Sequence, residues 1–173
     1  MSDIDAKMPE RVIFRVNPTF YLAISELADS ANRSVNGEIC TAVDNWLYRR
    51  DSLVLMKDRL LASASANTIE AIRRATPSYG FTPDSESDTC KTNVRFKDSV
   101  AVDLRAQWDQ QKILTGHVSM NSFLKIVVAW WLSYSYQLAE CAKAIHSDFQ
   151  NSIIPHRPAS QGQMSMCRNL ACA

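Results

Sequence analysis

Polar and apolar positions alternate twice along this chain, and each alternation is followed by stretches of helical spacing. In Arg11-Val12-Ile13-Phe14-Arg15-Val16, Val12, Phe14 and Val16 share one face, and Arg11, Ile13 and Arg15 the other. A period of two predicts a strand. Asn17-Pro18-Thr19 ends it and opens a helix over Phe20–Ala31, since proline suits a first helical turn. After a turn at Asn32-Arg33, Ser34 is a suitable N-cap for a second helix. That helix carries Val35, Ile39, Val43, Trp46 and Leu47 at helical spacing. It either stops at Arg49-Arg50-Asp51 or runs on.

The pattern then returns. A second strand is predicted over 92–97, with Val94 and Phe96 facing inward. Asp98 or Ser99 should cap a helix bearing Val100, Leu104 and Trp108. A connection over 112–118 leads to Ser119, which should cap a last helix continuing past Leu132 to Ile145. Ser34-Val35-Asn36 with Ile39, Val43, Trp46 and Leu47 aligns without a gap on Ser119-Met120-Asn121 with Leu124, Val128, Trp131 and Leu132, over fourteen positions. Trp108, Trp131, Trp46 and Phe96 read as core. Trp130 stands where the first copy has Asn45 and so reads as a packing-surface residue. Expected divisions are a first unit at 8–50, connecting helices at 51–75, and a linker at 76–91 rich in proline, serine and acid. A second unit follows at 92–150. Residues 1–9 read as a flexible arm and 151–173 as a disordered tail.

Charge adds a local rather than a global signal. The net charge is only +1, low for a nucleic-acid binder. Yet residues 91–133 hold six basic and three acidic side chains, whereas 51–90 hold four basic and six acidic. A basic face can therefore coexist with a neutral total. Five cysteines with no CxxC pair fit reduced thiols in a cytoplasm. No signal-peptide pattern and no apolar run of membrane-spanning length is present, so no membrane association is expected. His117, His146 and His156 lie far apart without a metal-site spacing. Neither a glycine-rich phosphate loop nor a nucleophile motif occurs. An enzyme is not expected, and no cofactor or metal is implied.

The segment Met8-Pro9 … Phe14-Arg15 … Arg33-Ser34-Val35-Asn36-Gly37-Glu38-Ile39 resembles the Arc/MetJ ribbon-helix-helix family, and within it the Arc repressors. The resemblance covers 8–50, and more faintly 92–132. Tandem copies in one chain are similar to the TraY class of conjugation proteins. The resemblance implies a mostly α fold with short β: tandem units whose strands pair as an antiparallel ribbon and enter the DNA major groove, where base edges carry a unique code. It implies base-reading by Arg11, Ile13 and Arg15 in the first copy and by Asn93, Arg95 and Lys97 in the second. Ile13 departs from the polar pattern of such readers: either it touches a thymine methyl group, or the first strand reads little. The N-termini of the second helices would clamp phosphates through Ser34, Val35 and Asn36, and through Ser119, Met120 and Asn121. For a lone strand, Arg11 and Arg15 would instead read as solvent-facing charges that block edge pairing.

In the Arc repressors a buried Arg–Glu–Arg triad lies in the core. The matching positions here are Arg33, Glu38 and Ala42, then Val118, Phe123 and Val127. One possible ion pair is kept in the first copy, and the second copy is apolar there. The expected function is that of a sequence-specific DNA-binding transcriptional regulator, a repressor of phage or plasmid type. Its partners would be double-stranded DNA and a sister strand, supplied within the chain or by a homodimer. The rival is a protein-interaction module with a weakened DNA face, such as an inhibitor of a host protein or an antitoxin. Ile13, the low net charge and the extra helices motivate it.

Overall fold

A computed structural model describes residues 11–76, 89–116 and 118–153. Strand β1 (Arg11–Val16) is followed by helices α1 (Pro18–Ser30), α2 (Val35–Tyr48), α3 (Arg50–Ala62) and α4 (Ala66–Ala75). Strand β2 (Cys90–Arg95) is followed by α5 (Asp98–Thr115) and α6 (Met120–Ile153). Strand, helix, helix therefore occurs twice, with a helical hairpin between. The expected arm (1–9) and most of the linker and tail lie outside the described residues.

The two strands pair antiparallel with each other within one chain. Arg11 lies opposite Arg95, Val12 opposite Val94, Ile13 opposite Asn93, Phe14 opposite Thr92, and Arg15 opposite Lys91. Val12 and Val94 hold the same place in the two repeats, so the ladder is centred on an approximate two-fold axis between them. Two strands have no stability alone and need a covered face. Val12, Phe14, Val16 and Val94 are buried, and α2 packs on β2 while α6 packs on β1. Ile39 and Val43 of α2, Leu124, Val128 and Leu132 of α6, Ile24 of α1 and Leu104 of α5 complete one shared core. Neither repeat has a core of its own.

Local chemistry sets the element ends. The Asn17 side chain accepts from the Phe20 N–H at 2.8 Å, with Pro18 in the first turn, so α1 begins two residues before the expected Phe20. Asn32 takes a left-handed conformation, φ 53°, after α1. The Arg33 N–H then reaches the Ala28 carbonyl at 2.8 Å and the Asn32 N–H reaches Asp29, which satisfies the last carbonyls of the helix. Gly116, φ 87°, holds the comparable place after α5, where a side chain would be strained.

Three expectations are corrected. The second strand is Cys90–Arg95, not 92–97, so the predicted linker to residue 91 overran it. The strand starts early because Lys91 and Cys90 find partners in Arg15 and Val16 at the far end of β1. Lys97 is consequently not a ladder residue but the N-cap of α5, with no side-chain capping bond. Asp98 and Ser99, the two residues expected to supply the cap, are the first two helical residues, and the negative charge of Asp98 suits the helix dipole there.

Helix α6 has 34 residues, roughly 50 Å at about 1.5 Å each. Its first half lies in the core. The second half carries the α3–α4 hairpin: Lys57 Nζ donates to Gln137 Oε1 at 3.0 Å, and Ile72 and Cys141 are buried there. No residue of α3 is itself fully buried.

Candidate nucleic-acid interface

Alternation puts six side chains on the uncovered face of the ribbon. They stand in three cross-strand rows: Arg15 with Lys91, Ile13 with Asn93, and Arg11 with Arg95. All six are exposed. Two of the three rows set like charges directly opposite each other, a destabilising arrangement of about 0.2–1 kcal/mol per pair. Among the described residues, no carboxylate pairs with any of the four cations. A face that carries only positive charge, held together by an apolar reverse side, suits a polyanion.

Five of the six expected base-reading residues lie on this face: Arg11, Ile13, Arg15, Asn93 and Arg95. The sixth, Lys97, is exposed two residues beyond β2. Lys91 was missed. Its signal was present in the sequence, since Lys91-Asn93-Arg95 alternates with Thr92-Val94-Phe96, but the acidic, serine-rich composition before it hid the strand's start.

The helix N-termini form the second part of the site. Ser34 Oγ accepts from the Gly37 N–H at 3.0 Å, and Ser119 Oγ accepts from the Ser122 N–H at 3.0 Å. The Glu38 and Phe123 N–H groups reach the Ser34 and Ser119 carbonyls, both at 2.9 Å. The two helix starts are thus equivalent, and the first-turn N–H groups of Val35 and Asn36 lie beyond the intrahelical ladder at the end of α2. Their counterparts at the start of α6 are Met120 and Asn121.

The asparagines differ. The Asn121 side chain accepts from the Arg15 N–H at 2.8 Å and donates to the Arg15 carbonyl at 3.1 Å. Its amide therefore holds β1 and fixes the backbone at Arg15. Asn36 makes no such pair, and its Oδ1 is buried without a partner. On the same flank, the Cys40 thiol donates to the Arg95 carbonyl at 3.3 Å, and burial followed by nearby Asp44 raises its pKa.

Behind the ribbon, Glu38 is almost wholly buried, with 2% of its surface exposed. Arg33 Nη1 donates to its Oε2 at 2.9 Å, and Trp131 Nε1 to its Oε1 at 2.6 Å. The Arg–Glu pair foreseen in the first copy is present, and an indole from the second copy serves as the further donor where Ala42 leaves none. Phe123 and Val127 fill the matching place in the second copy. Trp130 closes the far end, edge-on to Trp46 at 5.4 Å and stacked near Tyr134 at 5.8 Å. It projects from α6 onto Trp46 of α2 and is partly buried. Arg50 sits over the Trp46 ring at 3.9 Å.

Among the described residues, no group of three His, Cys, Asp or Glu side chains is placed to hold a metal, and no helix is long and apolar enough to cross a membrane. His117, His156, Cys167 and Cys172 lie outside them. No family model, no curated protein and no solved structure matches this chain.

Proposed function

We propose that the chain is a sequence-specific DNA-binding transcriptional regulator of ribbon-helix-helix architecture, in which one polypeptide supplies both strands of the ribbon. The observation that carries this reading is the face of Arg11, Arg15, Lys91 and Arg95, displayed in like-charged rows on a two-stranded ribbon. A ribbon of this width fits the major groove. With it inserted, the starts of α2 and α6 flank the groove and offer N–H groups to phosphates. Occupancy would exclude polymerase or another protein, which is repression, acting in the cytoplasm.

Gel-shift titration across a salt series tests it. A protein engaging roughly six phosphates loses about 10³ in affinity between 50 and 200 mM salt. Retained folding with no duplex binding at the lower salt would remove the reading.

A second reading, a protein-interaction module aimed at a host protein or a toxin, has its own support. Ile13 is 50% exposed in the middle of the ribbon face, and Ile113 and Leu114 at the end of α5 are 85% and 79% exposed. Exposed apolar groups of this size suit a protein partner. The same salt series separates the two.

A further inference from the structure

The ribbon's rows are not related by its own axis. That axis passes between Val12 and Val94, and it would exchange the Ile13–Asn93 row with the Arg11–Arg95 row. One of these rows is neutral, with a branched aliphatic side chain beside an amide. The other has two guanidinium groups. In a ribbon made by two identical chains these rows would have to be the same, because the axis is then exact. Here one chain supplies both strands, so the rows are free to differ.

The chemistry of each row selects a different base pair. Arginine pairs bidentately with the O6 and N7 of guanine. Asparagine pairs bidentately with the N6 and N7 of adenine, and an aliphatic side chain packs on the thymine methyl. We propose that the chain reads a non-palindromic duplex site: G·C under the Arg11–Arg95 row and A·T under the Ile13–Asn93 row, with one chain per site. On this assignment Ile13 is a reader of thymine rather than a lapse in the pattern. The inner rows set the two halves apart, while Arg15 and Lys97, equivalent by repeat position and both basic, add attraction at each end. The proposal rests on the DNA-binding reading above and deepens it.

The test uses the full chain and a pool of random duplexes at moderate salt, followed by titration of the selected site. The expected consensus has guanine in one half and A·T in the other, one chain bound per duplex, and a loss of roughly tenfold to hundredfold when either inner base pair is exchanged. Both inner rows are solvent-exposed, so they can be changed without touching the core. Ile13→Arg combined with Asn93→Arg should convert the selected site to guanine in both halves, making it symmetric. A symmetric consensus for the parent chain, or a consensus that the double substitution leaves unchanged, would overturn the inference. So would salt-sensitive binding that enriches no sequence, although the DNA-binding reading would survive that result. Absence of duplex binding at low salt would remove both.

Discussion

The two repeats meet the same packing demand with different chemistry. At the centre of the first, a carboxylate is buried between an arginine and an indole. At the matching place in the second stands Phe123, with Val127 a turn further on. A symmetric dimer has no such freedom, since any residue at one point of its core recurs at the other. Fusing the halves lets one polar, directional contact cross the interface from Glu38 to Trp131 while the opposite side stays apolar. The ribbon shows the same release from symmetry on its outer face. Covalent tandem pairing thus turns a self-complementary interface into two surfaces that can diverge.

The comparison breaks most readily on the apolar side. Phe123→Ala should lower unfolding free energy by about 3–5 kcal/mol, as large aromatic truncations in closed cores do. Urea unfolding measures it. Because both repeats share one core, the loss should appear as a single transition. Two transitions would mean that the halves fold separately.

On the outer face the effect should fall on binding. Arg11→Ala with Arg95→Ala removes the row expected to contact guanine and should weaken specific duplex binding by about 100-fold, equivalent to about 2.7 kcal/mol. Folding stability should stay level or rise by a few tenths of a kcal/mol, because a like-charged cross-strand pair is relieved. A fall in stability matching the fall in binding would mean that these arginines support the ribbon instead of a ligand.

Much of this arrangement was legible from residue pattern. Val12, Phe14 and Val16 against Arg11, Ile13 and Arg15 gave β1 and its buried face, and the two Ser-x-Asn helix starts gave the caps. The Arg33–Glu38 pair was anticipated from the resemblance to the Arc repressors, not from any local period. What was not legible lay between distant segments. The register that recruits Lys91 depends on how far β1 extends past the centre at Val12 and Val94. The Trp131 bond to Glu38 and the Asn121 bonds to Arg15 join residues 93 and 106 positions apart, and no local period encodes them. In-chain pairing was one of two open arrangements, since a linker long enough to bridge the repeats permits either.

The buried carboxylate offers a finer comparison. Glu38→Ala should cost about 2 kcal/mol, chiefly from a cavity and from the Trp131 N–H losing its acceptor. Arg33 adds little to that cost, because 44% of its side chain reaches solvent. Glu38→Met keeps the volume and should lie within about 1 kcal/mol of the parent, or above it, as buried ionic groups replaced by apolar ones commonly do. A loss with methionine as large as with alanine would show that the directional bonds, not volume, hold the first repeat against the second.

The smallest effect concerns a contact between α2 and α5 at the molecular surface. The Tyr48 hydroxyl donates to Asp103 Oδ2 at 2.5 Å. That hydrogen bond, then burial and the negative charges of Asp103 and Asp44, push the phenol up to about 12. A folded-state pKa above the ordinary value near 10 means that the protonated phenol is favoured in the native chain. The contribution is fully present below about pH 10 and is lost as pH rises towards 12. Thermal melts between pH 9 and pH 12 should therefore show the parent losing stability more steeply than Tyr48→Phe, which lacks the titrating group. Parallel curves would mean that the bond does not persist in solution, and that α2 and α5 are joined by their shared core alone.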